Sequence, residues 1–175
     1  MGRLAPEKGV RWLLEALAHT PSFIRLHMAG DGPDRLRLVS QAKRLGLHDR
    51  VRFHGWVGEP ERDRLLLQSR ALVVPSTGPE TFGLVVLEAF AMGRPVIHTS
   101  SGALTEVAGC NTAGVCVASG DTLALARAFS GLAGDYARAQ ALGLFGRGEI
   151  AHRFSVTNHL AALERIYEAA ALALA

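Results

Sequence analysis

Two charged segments of the chain carry residue types that can hold a diphosphate. Arg3 and Lys8 lie within residues 2–9, whereas Glu80 and Glu88 lie in a second segment further along the chain. Arginine offers a planar fork to phosphate oxygens, and lysine acts as a point charge. Glu88 interrupts an apolar run, so it must be paired, protonated or available to a ligand hydroxyl. Simpler alternatives remain open. Arg3 and Lys8 could be solvated charges of a loop, Glu80 could cap the start of a helix, and Glu88 could face solvent.

The residues after Glu80 predict the start of a helix that can bind an anion. Gly83 lets the backbone approach a ligand closely, and the amides of Leu84 and Val85 belong to the first turn, where N–H groups have no partner within the helix. These donors and the partial positive charge of the helix start favour phosphate. The second segment therefore predicts N–H donors beside the candidate carboxylates.

Strands and helices alternate along the chain up to Asp121. Hydrophobic periodicity and Gly and Pro punctuation predict helices at 10–18, from Pro33 to about 45, at 59–68, 84–92 and 102–108, and strands at 24–29, 51–54, 71–75, 95–98 and 114–117. After Asp121 the pattern is helical, with predicted breaks near 131–135 and 143–148. Such alternation predicts a Rossmann-like, doubly wound parallel α/β sheet with helices on both faces.

In such a sheet, ligands bind beyond the carboxyl ends of the strands, where both charged segments are expected to meet. The 175 residues suit one domain, 1–175, and a chain of this length buries about 70% of its unfolded surface. A strand that should precede residues 2–9 is absent. We expect either a piece of a longer protein or a sheet edge that a partner covers.

Composition narrows the function classes. A net charge of +3 and 49% hydrophobic residues argue against a disordered chain and against a nucleic-acid binder. The first residues lack the hydrophobic centre of a signal peptide, and no apolar run is long enough to span a membrane, so we expect a cytoplasmic protein. Cys110 and Cys116 are expected to be small buried thiols, and seven scattered histidines show no metal spacing. Trp12 is expected in the core, whereas Trp56 is equally consistent with a stacking platform.

Together these motifs resemble the C-terminal half of family-4 retaining glycosyltransferases, which have the GT-B architecture. The matching motifs are Gly-Arg-Leu-x-x-Glu-Lys-Gly at 2–9, Gly-Asp-Gly-Pro at 30–33 and Pro-Glu-x-Phe-Gly-Leu-Val-x-Leu-Glu-Ala at 79–89. The resemblance covers nearly the whole chain. It implies a domain that binds a nucleoside-diphosphate sugar and an N-terminal acceptor domain, in cis or as a separate chain.

The resemblance also implies roles for particular residues. Arg3 and Lys8 would neutralise the donor diphosphate without a metal or other cofactor, Glu80 would face the transferred sugar and Glu88 would accept hydrogen bonds from ribose hydroxyls. The amides of Gly83, Leu84 and Val85 would assist at the phosphates, and the segment containing Val57 would flank the base. These roles agree with the chemistry of a departing diphosphate, whose growing charge needs cationic and N–H donors.

Two departures and several alternatives accompany the resemblance. In place of the family's Gly-Gly-x-Pro-Glu loop, this chain has residues 101–106, so the sequence does not establish whether the loop forms the same tight turn. Without the acceptor domain, this chain alone is expected to transfer little or nothing. A non-catalytic GT-B-derived module, a sugar-nucleotide epimerase and a glycogen-type synthase are the alternatives.

The end of the chain is expected to be a helix capped by Ser155 whose apolar faces are partly unburied. That surface predicts self-association or contact with a missing partner. Peripheral membrane contact is expected only through the absent domain.

Overall fold

The computed structural model describes residues 1–109 and 112–173 of the chain. Cys110, for which a buried thiol is expected, lies outside this part. The elements in chain order are a 3-10 turn Pro6–Lys8, α1 Val10–Ala18, β1 Leu26–Ala29, α2 Arg35–Arg44, β2 Val51–Gly55, α3 Glu59–Gln68, β3 Leu72–Val74, α4 Leu84–Ala91, β4 Val96–Thr99, α5 Leu104–Ala108, β5 Gly114–Val117, α6 Thr122–Gly134, α7 Tyr136–Arg153 and α8 Val156–Ala173. The predicted alternation of strands and helices is confirmed.

All strand pairs in the described chain are parallel, but they form two sheets. β1 pairs with β2, with Leu26 opposite Val51, and β3, β4 and β5 form a second sheet in that order. The predicted parallel α/β architecture is confirmed, and its strands are divided between these two sheets. Within the described residues, β1 pairs with no strand other than β2, and β3 with none other than β4, so each keeps one open edge.

The N-terminal residues run along the extension of β1. The amide of Gly2 donates to the carbonyl of Ala29 at 2.9 Å, and the amide of Leu4 donates to the carbonyl of Asp31 at 2.8 Å. Two such bonds at a spacing of two residues are the start of a parallel ladder. Residues 2–4 therefore lie along the open edge of β1, beside the gap between the two sheets.

Helices cover both faces of the strands. In β4, Ile97 packs with α1 and α6 in one hydrophobic cluster, whereas its neighbour Val96 packs with α4 and α5 in a second cluster. Successive strand residues point to opposite faces, so this division requires helices on both sides. Trp12 is buried in the first cluster, which confirms its expected place in the core.

α7 runs without interruption from Tyr136 to Arg153, so the predicted break at 143–148 is wrong. Its glycines serve close packing instead. A Cβ on Gly143 would lie 2.1 Å from the carbonyl oxygen of Gly93, and one on Gly146 would lie 2.5 Å from the ring of Phe90. The break predicted at 131–135 is confirmed, since α6 ends at Gly134.

The terminal helix α8 is largely exposed to solvent. Ser155 accepts a hydrogen bond from the amide of Asn158, as a cap does, and no side chain of residues 156–172 is buried. Its exposed apolar residues include Leu160 and Ile166. Over residues 1–109 and 112–173, none of the helices combines the length and the apolar character needed to cross a membrane.

Candidate functional site at the carboxyl edge of the strands

Lys8 and Glu80 form an ion pair between the two charged segments. Nζ of Lys8 lies 2.6 Å from Oε1 of Glu80, and the Glu80 side chain is only 13% exposed. The buried hydroxyl of Ser76 donates to the same carboxylate oxygen at 2.5 Å. The carboxylate is therefore held by a cation and a hydroxyl, on the loop that follows β3.

Backbone contacts fix the loop of Lys8 against the loop of Glu80. The carbonyl of Glu7 accepts from the amides of Thr77 at 2.9 Å and Gly78 at 3.1 Å. Gly9 has φ of 65°, and a Cβ there would lie 1.9 Å from the carbonyl oxygen of Pro75. Only glycine allows this approach, so the Glu-Lys-Gly order places Lys8 at the edge of the strands.

Arg3 lies at the same edge, where it lines the same cavity as Glu80. Its side chain is 67% exposed and is paired with Glu7 four residues later. Such an exposed pair contributes little to stability, so Arg3 is available to a stronger anion. The structure thus places both predicted cations near one another, each held by a carboxylate.

The start of α4 offers backbone donors, as the sequence predicts. Gly83 has φ of 88°, and among the described residues no oxygen accepts a hydrogen bond from the amides of Leu84 or Val85. The Leu84 side chain is 68% exposed. These N–H groups and the helix dipole favour a negative group at this position.

The loop after β4 holds the backbone around Glu80 in place. The amide of Ala103 donates to the carbonyl of Glu80 at 2.9 Å, and Ser101 donates through its hydroxyl to the carbonyl of Gly78. Gly102 has φ of 56°, and a Cβ there would lie 2.2 Å from the carbonyl oxygen of Glu80. The tight turn that the sequence left open is therefore present, with one glycine at its centre.

Glu88 lies one turn into α4, where Arg62 of α3 binds it. The distance from Nη1 of Arg62 to Oε1 of Glu88 is 2.8 Å, and about a third of the Glu88 side chain is exposed. A hydrogen bond to Asp63, with the added charge of Glu88, raises the pKa of Arg62. Of the open sequence alternatives, the structure therefore shows a paired carboxylate that is partly exposed.

One cavity of about 720 Å³ joins most of these groups, and Arg3, Lys8, Glu80, Gly83, Leu84 and Val85 all line it. Glu88 and Val57 are not among its walls. The cavity continues between the open edges of β1 and β3, so only its outer part belongs to the carboxyl edge.

Sequence reasoning missed two residues of the site. Ser76 is 1% exposed, and Arg62 comes from a helix with no motif of its own. The position of Ser76 directly after a buried strand was an available signal, because the carboxyl ends of such strands point to the ligand edge. Nothing in the sequence around Arg62 distinguishes it from the other charges of α3.

The remaining residues that the sequence analysis considered are the possible metal ligands, Cys116 and Trp56. Among residues 1–109 and 112–173, no three His, Cys, Asp or Glu side chains are grouped as a metal ion would require. Cys116 is half-buried in β5 rather than fully buried, which corrects the expectation for this thiol. Trp56 is 81% exposed at the end of β2, so it does not belong to the core.

A parallel α/β domain with cations, carboxylates and helix amides at the carboxyl edge of its strands is a Rossmann-like ligand-binding domain. The family model described as "Glycosyl transferases group 1" matches residues 1–135. The chain belongs to this family of glycosyltransferases, and it shares the GT-B fold of its relatives.

Two curated relatives illustrate the relationship. The chain is 34% identical over 155 residues to a lipopolysaccharide core biosynthesis glycosyltransferase, LpsE, of Rhizobium meliloti, covering 89% of this chain and 44% of LpsE. It is 34% identical over 176 residues to a glycogen synthase of Mycobacterium tuberculosis, covering 97% of this chain and 42% of that enzyme. The chain therefore spans less than half the length of these relatives.

Solved structures agree with this. Anabaena HepE in complex with UDP superposes with a TM-score of 0.87 at 26% identity, over 96% of this chain and 48% of HepE. HepE was also solved in complex with UDP-glucose, and that structure has a TM-score of 0.86.

Proposed function

We propose that this chain is the donor-binding domain of a retaining glycosyltransferase, which moves a hexosyl group from a nucleoside-diphosphate sugar to an acceptor. One observation carries the proposal: Lys8, Glu80 and the unpartnered amides of Leu84 and Val85 meet at one edge of the strands. The UDP and UDP-glucose complexes of HepE support a uridine nucleotide as the first donor to test.

The diphosphate would lie between the two loops. Lys8 and Arg3 provide two cations, and the start of α4 provides N–H donors, so the growing charge of the leaving diphosphate is met from both sides. Because these groups supply the positive charge, we propose that transfer needs no metal. Arg3 would exchange Glu7 for a phosphate oxygen, which is a stronger acceptor.

The carboxylates would hold the two sugars of the donor. Glu88 keeps one oxygen with Arg62, and it would accept from ribose hydroxyls with the other; Val57 would flank the base. Glu80 would orient the transferred sugar, with Lys8 and Ser76 fixing its carboxylate. Glu80 thus need not be a covalent nucleophile.

Retention would follow from substitution on the front face of the sugar. The bond between the anomeric carbon and the phosphate oxygen breaks, and the acceptor oxygen bonds to the same face of that carbon. The acceptor proton passes to the departing phosphate oxygen, so no base from the protein is needed. The cations and amides stabilise the negative charge on the diphosphate until that proton arrives.

We further propose that a parallel strand leading into Gly2 fills the gap between β1 and β3. The ladder from Gly2 to Ala29 and from Leu4 to Asp31 points into that gap, and apolar strand edges line it. An acceptor-binding domain would precede this strand, in keeping with relatives about twice as long. The cytoplasm is the compartment we expect, and no nucleic-acid partner is expected for a chain of net charge +3.

The exposed helix α8 would contact that domain or a second copy of the chain. Its unburied apolar residues, among them Leu160 and Ile166, support such a contact. Any peripheral membrane contact would come from the acceptor domain. Light scattering tests self-association: a strictly monomeric chain at all concentrations would leave only the domain contact.

A glycogen-type synthase is the second candidate, favoured by the relative of that name that matches 97% of the chain. It would use the same donor site and differ in its acceptor. A non-catalytic module would keep the fold but lose nucleotide binding, and an epimerase would bind the sugar nucleotide without an acceptor.

Calorimetric titration of UDP, GDP and ADP tests the donor site. We expect saturable binding of at least one nucleotide and a loss of about tenfold or more in affinity in Glu88→Ala, because paired ribose hydroxyls lose their acceptor. Glu164→Ala, an exposed position on α8, is the matched control and should bind as the parent chain does. Equal binding by the Glu88→Ala variant, or no binding of any nucleotide, would overturn the proposal.

A further inference from the structure

A second cavity lies at the opposite edge of the strands from the donor site. Arg70 directly precedes the segment that enters β3, and Arg94 precedes β4, so both belong to the amino ends of parallel strands. Both side chains line a cavity of about 170 Å³. The donor groups lie at the carboxyl ends of the same strands, whereas Arg70 also lines the inner part of the 720 Å³ cavity.

One face of α7 closes this cavity. Tyr136, Gln140, Leu144 and Arg147 follow one another at helical spacing and all line it. The close contact between Gly143 and the backbone of Gly93 fixes the distance of α7 from the turn that carries Arg94. The walls are therefore held by backbone packing.

The charge of this cavity is uncompensated. Arg70, Arg94 and Arg147 line it, and no carboxylate does. Within the described chain these three arginines form no ion pair with an acidic residue, as is also true of several other arginines such as Arg11 and Arg52. Arg70 and Arg147 are exposed and Arg94 is half-buried, so an anion between them would relieve the mutual repulsion of the three charges.

Individual contacts point the same way. Nε of Arg94 is buried and has no acceptor among the described residues. The guanidinium of Arg70 lies 4.5 Å from the centre of the Tyr136 ring, which orients it without using its N–H groups. Asp135 precedes the helix, and its carboxylate already accepts from the amide of Arg138 at 2.9 Å. The cavity is thus lined by arginine donors and by no carboxylate.

We propose that this cavity binds a small doubly charged oxyanion of the phosphate-monoester class. The forked guanidinium groups of Arg94 and Arg147 would bind its oxygens, and Arg70 and the amide of Gln140 would complete the shell. The volume has room for several water molecules, which suits a phosphate and the first atoms of its substituent. This site is independent of the proposed donor function.

The test is a titration of the whole chain with inorganic phosphate, followed by amide shifts in heteronuclear NMR spectra. We expect saturable shifts at Gly93, Arg94 and Gln140, and affinity about fivefold or more weaker in Arg94→Gln and in Arg147→Gln. Arg127→Gln removes an exposed arginine of α6 outside the cavity and should leave the affinity unchanged. Shifts confined to Gly83 and Leu84 would report the donor site alone and would overturn the proposal.

A further variant distinguishes loss of binding from loss of folding. Gln140→Glu places a carboxylate among the three arginines, so it should abolish phosphate binding and raise the Tm. A lower Tm together with unchanged phosphate binding would contradict the proposal. A hexose phosphate distinguishes the source of the anion: about tenfold tighter binding than inorganic phosphate indicates an organic ester, and equal binding indicates free phosphate.

Discussion

Lys8 and Glu80, separated by most of the first half of the chain, form an ion pair of 2.6 Å that joins the loop before α1 to the loop after β3. Replacing Glu80 by Gln removes the charge that holds Lys8 and keeps the shape of the side chain. We expect Glu80→Gln to bind UDP at least as tightly as the parent, because Lys8 is released to the diphosphate. We expect it to lose the extra affinity for UDP-glucose, and calorimetry of both ligands checks this. Parallel losses for UDP and UDP-glucose would contradict a contact with the sugar.

Arg62 is expected to act on the nucleotide only through Glu88. Arg62→Gln should weaken UDP binding by about threefold to tenfold, because Glu88 loses the partner that fixes its orientation. The loss should vanish for 2′,3′-dideoxyuridine diphosphate, which lacks the hydroxyls that Glu88 accepts from. Arg64→Gln, on the same helix but paired with Glu61, is the control. An equal loss for both nucleotides would indicate a general effect of charge.

Gly102 is expected to be indispensable to the shape of the site. Gly102→Ala puts a Cβ 2.2 Å from the carbonyl oxygen of Glu80 at a φ of 56°. It should lower the free energy of unfolding by about 2 kcal/mol or more and weaken UDP-glucose binding. Gly120→Ala has a comparable φ of 84° with no atom within 4 Å, so it measures the backbone strain alone. Urea unfolding of both variants separates the two effects, and equal costs would contradict the clash.

Two glycines of α7 should respond in opposite directions. Gly143→Ala meets the carbonyl of Gly93 at 2.1 Å and should destabilise the fold by about 2 kcal/mol or more. Gly148→Ala meets nothing within 4 Å and should stabilise the helix by roughly 0.5–1 kcal/mol. Thermal unfolding followed by circular dichroism measures both. Stabilisation by both would contradict the close packing of Gly143 against the backbone of Gly93.

The pair His27 and His54 predicts a loss of stability in acid. Their ring nitrogens lie 2.9 Å apart, and burial, with the positive charge of Arg52, lowers the pKa of both rings below the ordinary value for histidine. The folded state therefore favours neutral rings. The stability that the neutral ring pair contributes is fully present above the ordinary histidine pKa of about 6.5. It is lost as the pH falls through the lowered pKa values of the folded state.

We expect the Tm of the parent chain to fall between about pH 7.5 and about pH 5.5 more than that of His27→Gln, whose amide does not titrate. His19→Gln, an exposed histidine at the end of α1, is the control. The same pH dependence in His27→Gln and in the parent would show that the pair does not contribute.

Local patterns sufficed for most of the fold. α3 and β5 occupy the residues predicted for them, since alternation and periodicity report which face of each element is buried. The continuity of α7 could not be predicted, because Gly143 and Gly146 are explained by the distant backbone of Gly93 and the ring of Phe90. Helix propensity alone counts such glycines as breaks.

The sequence by itself determined the family, the alternation of strands and helices and the residues Arg3, Lys8, Glu80 and Glu88, because each depends on residue type and on spacing along the chain. Only the tertiary structure decided their partners. Glu80 is held by Lys8, 72 residues away, and Glu88 by Arg62, 26 residues away, so both pairs join separate segments of the chain. The hydroxyl of Ser76, from the same loop as Glu80, completes the first pair. The split into two sheets is likewise a property of strand pairing, since hydrogen bonds between strands leave no periodic signal in either one.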